Sequence, residues 1–152
     1  MSDVVCYTDG SALGNGKDSA CCGAGVVLLY GEALKELSIP LPNYKTNNQA
    51  ELYACIAALE ALKRPCKVIL YTDSKYVQEG ITSWIHGWKR RNWKTASKSD
   101  VKNKDLWVRL DNLISVHNVE WRWVKGHADD EMNNLADRLA CEASARVKEE
   151  RV

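Results

Sequence analysis

Apolar residues recur along this chain with two periods, and the switches between them mark its elements. Residues 4–8 read as a short buried strand that runs into the turn-rich Asp9-Gly10-Ser11-Ala12-Leu13-Gly14-Asn15-Gly16. Residues 23–30 and 33–39 are two further strands joined at Gly31-Glu32, the pattern of an antiparallel meander, and Pro40 and Pro42 are expected to stop the sheet. Thr46-Asn47-Asn48-Gln49 then matches a capping box, in which side chains satisfy the unpaired amides of a helix start. The period changes there to that of a helix, with Leu52, Cys55, Ile56, Leu59 and Leu62 on one face up to about Lys63, and Pro65 closes the segment.

Residues 67–71 form the next strand, ending at Thr72-Asp73-Ser74. A strand, helix, strand order of this length implies a right-handed parallel crossover, with the two strands adjacent or one apart. Short helical pieces are expected from Ser74 to about Trp88. A basic stretch, residues 89–104, is followed by a helix over about 105–115, a strand over 119–124 and an Ala/Leu-rich helix from about Asp130 almost to the end. Repeats, low-complexity tracts and linkers are lacking, so residues 1–152 read as a single domain.

Composition changes this picture little. With 152 residues, 45% hydrophobic and 27% charged, the chain has the make-up of one globular domain with a full core. A net charge of +1 gives no global argument for a polyanionic partner, so such a partner must be argued from where charges sit. The longest unbroken apolar run is residues 26–30 and the amino terminus carries Asp3 and Asp9, which points to a cytoplasmic protein without a membrane span. None of the six cysteines forms a Cys-x-x-Cys pair. Cys6, Cys55, Cys66 and Cys141 lie in apolar periodic segments and are expected to be core thiols, while Cys21 and Cys22 fall in a Gly-rich loop.

Candidate chemistry comes from acids. Asp9 and Asp73 follow two strands expected to be parallel, the rim where open α/β sheets place their ligand crevice. Glu51 lies one turn into the capped helix, in phase with Cys55, Leu59 and Leu62, so it faces the sheet; Glu60, nine residues on, falls on the opposite side. Asp137 lies on the flank of its helix, and spacing alone leaves it undecided. Carboxylates brought together repel one another unless a cation resolves the conflict. Oxygen-only ligands suit Mg²⁺ or Mn²⁺, and an ion pair of that kind makes phosphodiester hydrolysis the natural reaction class.

These residues resemble a known family, the type 1 ribonucleases H. The resemblance is carried by Tyr7-Thr8-Asp9-Gly10-Ser11 with Gly14-Asn15, by Thr46-Asn47-Asn48 followed by Glu51-Leu52, by Thr72-Asp73-Ser74, by residues 121–127, and by Asp137 ten residues after His127. It implies an α/β ribonuclease H-like fold, a mixed five-stranded sheet with its first three strands antiparallel and helices flanking it. It also implies hydrolysis of the RNA strand of RNA–DNA hybrids by a monomer with two Mg²⁺ ions, replaceable by Mn²⁺, leaving 5′-phosphate and 3′-hydroxyl ends. Carried over by position, Asp9, Glu51, Asp73 and Asp137 become metal ligands and His127 a proton shuttle or an aid to product release.

By the same resemblance Gly10, Ser11, Asn15, Thr46, Asn47, Asn48 and Gln49 would face the minor groove, where a 2′-hydroxyl tells RNA from DNA. The segment with Trp84, Trp88, Lys89, Arg90 and Arg91 interleaves aromatics with cations and resembles the family's basic protrusion, suited to DNA phosphates and stacking. Three features depart from the family pattern: a slightly longer loop over 16–22, Lys75 where a neutral polar residue is frequent, and the acidic Asp129-Asp130-Glu131. The alternatives are a DNA nuclease or resolvase on the same fold and a catalytically silent hybrid-binding module, which the complete acid set argues against.

Overall fold

The computed structural model describes residues 3–124 and 131–151. Strands β1 (Asp3–Leu13), β2 (Cys21–Tyr30) and β3 (Ala33–Leu41) form an antiparallel meander. β4 (Lys67–Thr72) and β5 (Asn118–Trp123) add to it in parallel, giving the order β3-β2-β1-β4-β5. The expected mixed five-stranded sheet is thus present, with β1 at its centre and adjacent to β4.

Helix α1 (Asn47–Glu60) makes the crossover and covers one face of the sheet. Its start is the expected capping box: Thr46 Oγ1 accepts from Gln49 N, and Gln49 Oε1 accepts from Thr46 N. Leu52, Cys55, Ile56 and Leu59 pack on Val4, Cys6, Val68 and Leu70, and α4 (Lys104–Val116) extends this core with Leu106, Trp107 and Leu110. On the other face, α5 (Glu131–Glu150) lays Ala136 and Leu139 against Val27. Gly25 makes this approach possible, since a Cβ there would come 2.1 Å from the Ala136 carbonyl oxygen. The sheet can therefore hold α5 closely enough to aim side chains at its central strand.

Several boundaries differ from the sequence reading. β1 does not end at Asp9; it continues through Gly10, Ser11 and Ala12 to Leu13, paired with β2 from Asp9↔Gly25 to Leu13↔Cys21. Cross-strand pairing overrides the local turn preference of those small residues, and the turn itself uses Gly14 and Gly16, both at positive φ. Cys21 and Cys22 are accordingly buried residues of β2 rather than of a loop. Pro40 does not stop β3 but pairs with Gly23 inside it, which an edge strand tolerates because one side of its ladder is unpaired. Cys141 is exposed on α5, not a core thiol, whereas Cys6, Cys55 and Cys66 are buried. α1 ends at Glu60, three residues earlier than expected.

From β4 the chain enters α2 (Lys75–Glu79), a π turn over Gly80–Trp84 and α3 (Ile85–Arg90), and then a protruding segment to α4. Asn92, Trp93, Lys98 and Asn103 have positive φ there. Among the described residues no helix is long and apolar enough to cross a membrane.

Candidate metal centre

The register of β1 and β4 pairs Tyr7 with Tyr71, so Asp9 and Asp73 follow at equivalent places on neighbouring parallel strands. Thr8 ties the pair together just beneath, its Oγ1 donating to the Tyr71 carbonyl at 3.1 Å. Glu51 reaches the same point from α1. The Gly10 amide donates both to Glu51 Oε1 at 2.8 Å and to Asp9 Oδ1 at 2.9 Å, so one backbone group orients two carboxylates. Gly10 has to be glycine for this, because a Cβ would lie 2.4 Å from the Glu51 nitrogen.

Oxygen atoms of Asp9, Glu51 and Asp73 lie within 4.8 Å of one another. Asp9 is buried at 7% exposure, and burial, with Asp73 and Asp137 adding to it, pushes its carboxyl up to about 7. Glu51 rises well above the usual carboxylate range, first through burial and then through the charge of Asp9. Among the described residues its buried Oε2 has no hydrogen-bond partner. A buried acceptor left unpaired costs roughly 1–3 kcal/mol, more when charged, so this atom marks a position where a ligand-accepting cation fits. The donors are oxygens only, which suits a hard divalent ion. The cluster thus has the make-up of a metal site.

Asp137, exposed on α5, lines the same cavity of about 400 Å³ as Asp9, Glu51 and Asp73, together with Gly10, Asn47, Asn48, Ser74, Lys75 and Tyr76. Cys141, one turn further along α5, places Sγ 3.9 Å from Asp137 Oδ1. Glu60 lies away from the cavity in an ion pair with Arg109. His127 lies outside the described residues.

The expected nucleic-acid contacts divide into two groups. Asn47 and Asn48 are exposed at the cavity mouth, while Asn15 is engaged structurally, its Oδ1 accepting from Asn47 N at 2.8 Å. Ser11 Oγ meets Ser144 Oγ of α5, and Gln49 Nε2 donates to Asn103 Oδ1. Trp84, Trp88, Lys89, Arg90 and Arg91 do not line the cavity but sit on or beside α3. Trp88 is partly spent on packing, in contact with Trp84, Trp93 and the fully buried Trp107. Lys94, Lys104 and Lys89 pair with Asp100 and Asp111, so among the described residues the exposed Arg90, Arg91, Lys98 and Lys102 carry more of the protrusion's free charge.

Two groups near the centre escaped the sequence reading. Tyr76 lines the cavity, and its Oη accepts from Trp107 Nε1 and Asn103 Nδ2, joining the centre to the base of the protrusion. Its spacing of three from Asp73 was the available signal. Thr8 gave one too, sharing strand parity with the buried Cys6.

The family model for RNase H matches residues 1–145 of this chain. A curated Ribonuclease H of Phenylobacterium zucineum is 56% identical over 138 residues, 91% of this chain and 88% of that protein. Among solved structures, a type 1 RNase H with the type 2 active-site motif superposes with a TM-score of 0.85 at 34% identity, over 96% of this chain and 74% of that one. The foamy viral protease-reverse transcriptase in complex with RNA/DNA hybrid superposes with a TM-score of 0.76 at 26% identity, over 95% of this chain and 20% of that one. With a family model spanning nearly its whole length and a relative sharing more than half its residues, the chain belongs to the ribonuclease H family.

Proposed function

We propose that Asp9, Glu51, Asp73 and Asp137 hold two Mg²⁺ ions, replaceable by Mn²⁺, with which this ribonuclease H cuts the RNA strand of RNA–DNA hybrids to leave 5′-phosphate and 3′-hydroxyl ends. The chain is an endoribonuclease acting on hybrids. The observation that carries the metal assignment is the unpartnered, buried Glu51 Oε2 within a cluster of three acids whose oxygens lie within 4.8 Å. When bound, such ions supply Lewis-acid activation of water and of the phosphoryl group.

The chain's own residues supply positioning. Gly10 N–H fixes Asp9 and Glu51, and Thr8 locks the two strands that present Asp9 and Asp73. Asn47 and Asn48, exposed at the cavity mouth, have the donor and acceptor groups to read a 2′-hydroxyl. The Arg90 and Arg91 side chains would neutralise phosphates of the DNA strand. His127, matched by motif, would carry a proton or ease product departure. The reading takes the chain as a single catalytic domain that works as a monomer in the cytoplasm.

Incubation with labelled RNA–DNA hybrid, duplex DNA and duplex RNA, in Mg²⁺ and then in EDTA, tests this. Hybrid-only cleavage abolished by EDTA is expected. Cleavage of duplex DNA, or hybrid cleavage that survives EDTA, would overturn it.

A further inference from the structure

Among the described residues, ten line the cavity at the metal centre. Four are acids, five are neutral, and one, Lys75, is a cation. Lys75 is exposed, and among the described residues it forms no ion pair, although Asp73 is two positions away. It occupies the first position of α2, where the helix dipole favours an acid over a cation. Its backbone is fixed on both sides of Ser74, whose amide donates to Thr72 Oγ1 and whose Oγ accepts from Val77 N. A cation is therefore held at a locally unfavourable position on a rigid base, with its flexible stem open to the cavity.

Charge balance gives this position a purpose. Two divalent ions would just neutralise four carboxylates, leaving no net attraction for an anionic backbone entering the cavity. We infer that Lys75 binds a phosphate of the RNA strand at or beside the bond to be cut, supplying the attraction that the neutralised centre lacks. The inference rests on the proposed hybrid-cutting reading of the same cavity. An ammonium suits the task as a mobile point charge able to follow a phosphate.

The test measures hybrid binding by fluorescence anisotropy in Mg²⁺, in an Asp73→Asn background so that the hybrid persists, at several salt concentrations. Lys75→Gln is expected to weaken binding several-fold and to lower the slope of log affinity against log salt by about 0.7–0.9, the value of one released counterion. Lys75→Arg should retain the slope. On a hybrid carrying one neutral methylphosphonate at the cutting position of the RNA strand, the parent and Lys75→Gln proteins should bind alike. Unchanged slopes, or an equal loss on charged and neutral hybrids, would overturn the inference, as would a Lys75→Gln effect confined to the Mg²⁺ midpoint for cleavage. Cleavage of hybrid by the unaltered chain, run alongside, separates the two readings. Its failure defeats the hybrid-cutting reading and the inference with it, whereas normal cutting with an unchanged slope defeats the inference alone.

Discussion

The acid centre and the basic protrusion are built in opposite ways. At the centre, β1, α1, β4 and α5 each deliver one acid, and backbone groups hold two of them: Gly10 N–H binds Asp9 and Glu51 together. On the protrusion, cations project from one short helix and a segment steadied by an aromatic stack, with Trp107 buried at its root. The first arrangement concentrates its proposed function in a few converging atoms that no neighbour can replace. The second spreads it over exposed charges, each contributing a little and all screened by salt. Substitutions in the two regions should therefore differ in kind as well as in size.

The largest difference is expected from Asp73→Asn, which keeps the shape of the side chain but removes its charge. Turnover should fall by at least about 10²–10³-fold, while circular dichroism and hybrid affinity stay near those of the parent. A near-normal rate would remove Asp73 from the centre. Gly10→Ala comes next. With a Cβ 2.4 Å from the Glu51 nitrogen, α1 must move, and displacements of about 1 Å at reacting groups cost on the order of 10²-fold in rate. Crowding of this kind also costs about 1–3 kcal/mol, measurable by urea unfolding. Unchanged stability and rate would show that the centre tolerates looser support than the geometry implies.

Proton linkage sharpens the contrast further. Asp9 titrates at about 7 in the folded chain against an ordinary value of 3.8, so between these limits the folded state keeps a proton that the unfolded state releases. In the absence of metal, its contribution to stability is complete below about pH 4 and is lost as the pH rises through about 7. Urea unfolding in EDTA should show stability falling over this range by up to about 4 kcal/mol, and Asp9→Asn should flatten the profile. A flat profile in the unaltered chain would mean the acids are not strained without a cation. The smallest effect belongs to the protrusion. Arg90→Ala and Arg91→Ala should each weaken binding a few-fold and lower the salt slope by about 0.7–0.9. A loss of turnover as large as that of Asp73→Asn would erase the distinction between the regions.

What could be read in advance follows the same division. The capping box at Thr46 and Gln49 was legible because its hydrogen bonds are local, and helical phase turned Glu51 toward the sheet and Glu60 away from it. Acids after strands 4–8 and 67–71 were legible as rim positions. The extension of β1 through Leu13 was not, because pairing with β2 residues beyond the turn overrode a run of small, turn-prone residues. Asp137 escaped helical phase because an exposed flank position on α5 becomes part of the centre only once Gly25 lets that helix lie close. The tryptophans of the protrusion were visible as composition, but their division between packing and exposure depends on Trp107, which lies in another helix.

Calorimetric titration of Mn²⁺ into the unaltered chain and into Glu51→Gln, near neutral pH in buffers of different ionisation enthalpy, tests the central claim most directly. Glu51 holds its proton well above the usual carboxylate range and Asp9 up to about 7, so a cation entering the cluster must displace protons. The account predicts saturable binding with proton release in the unaltered chain and a marked loss of both in Glu51→Gln. Equal binding by the two proteins, or the absence of any binding linked to proton release, would contradict it.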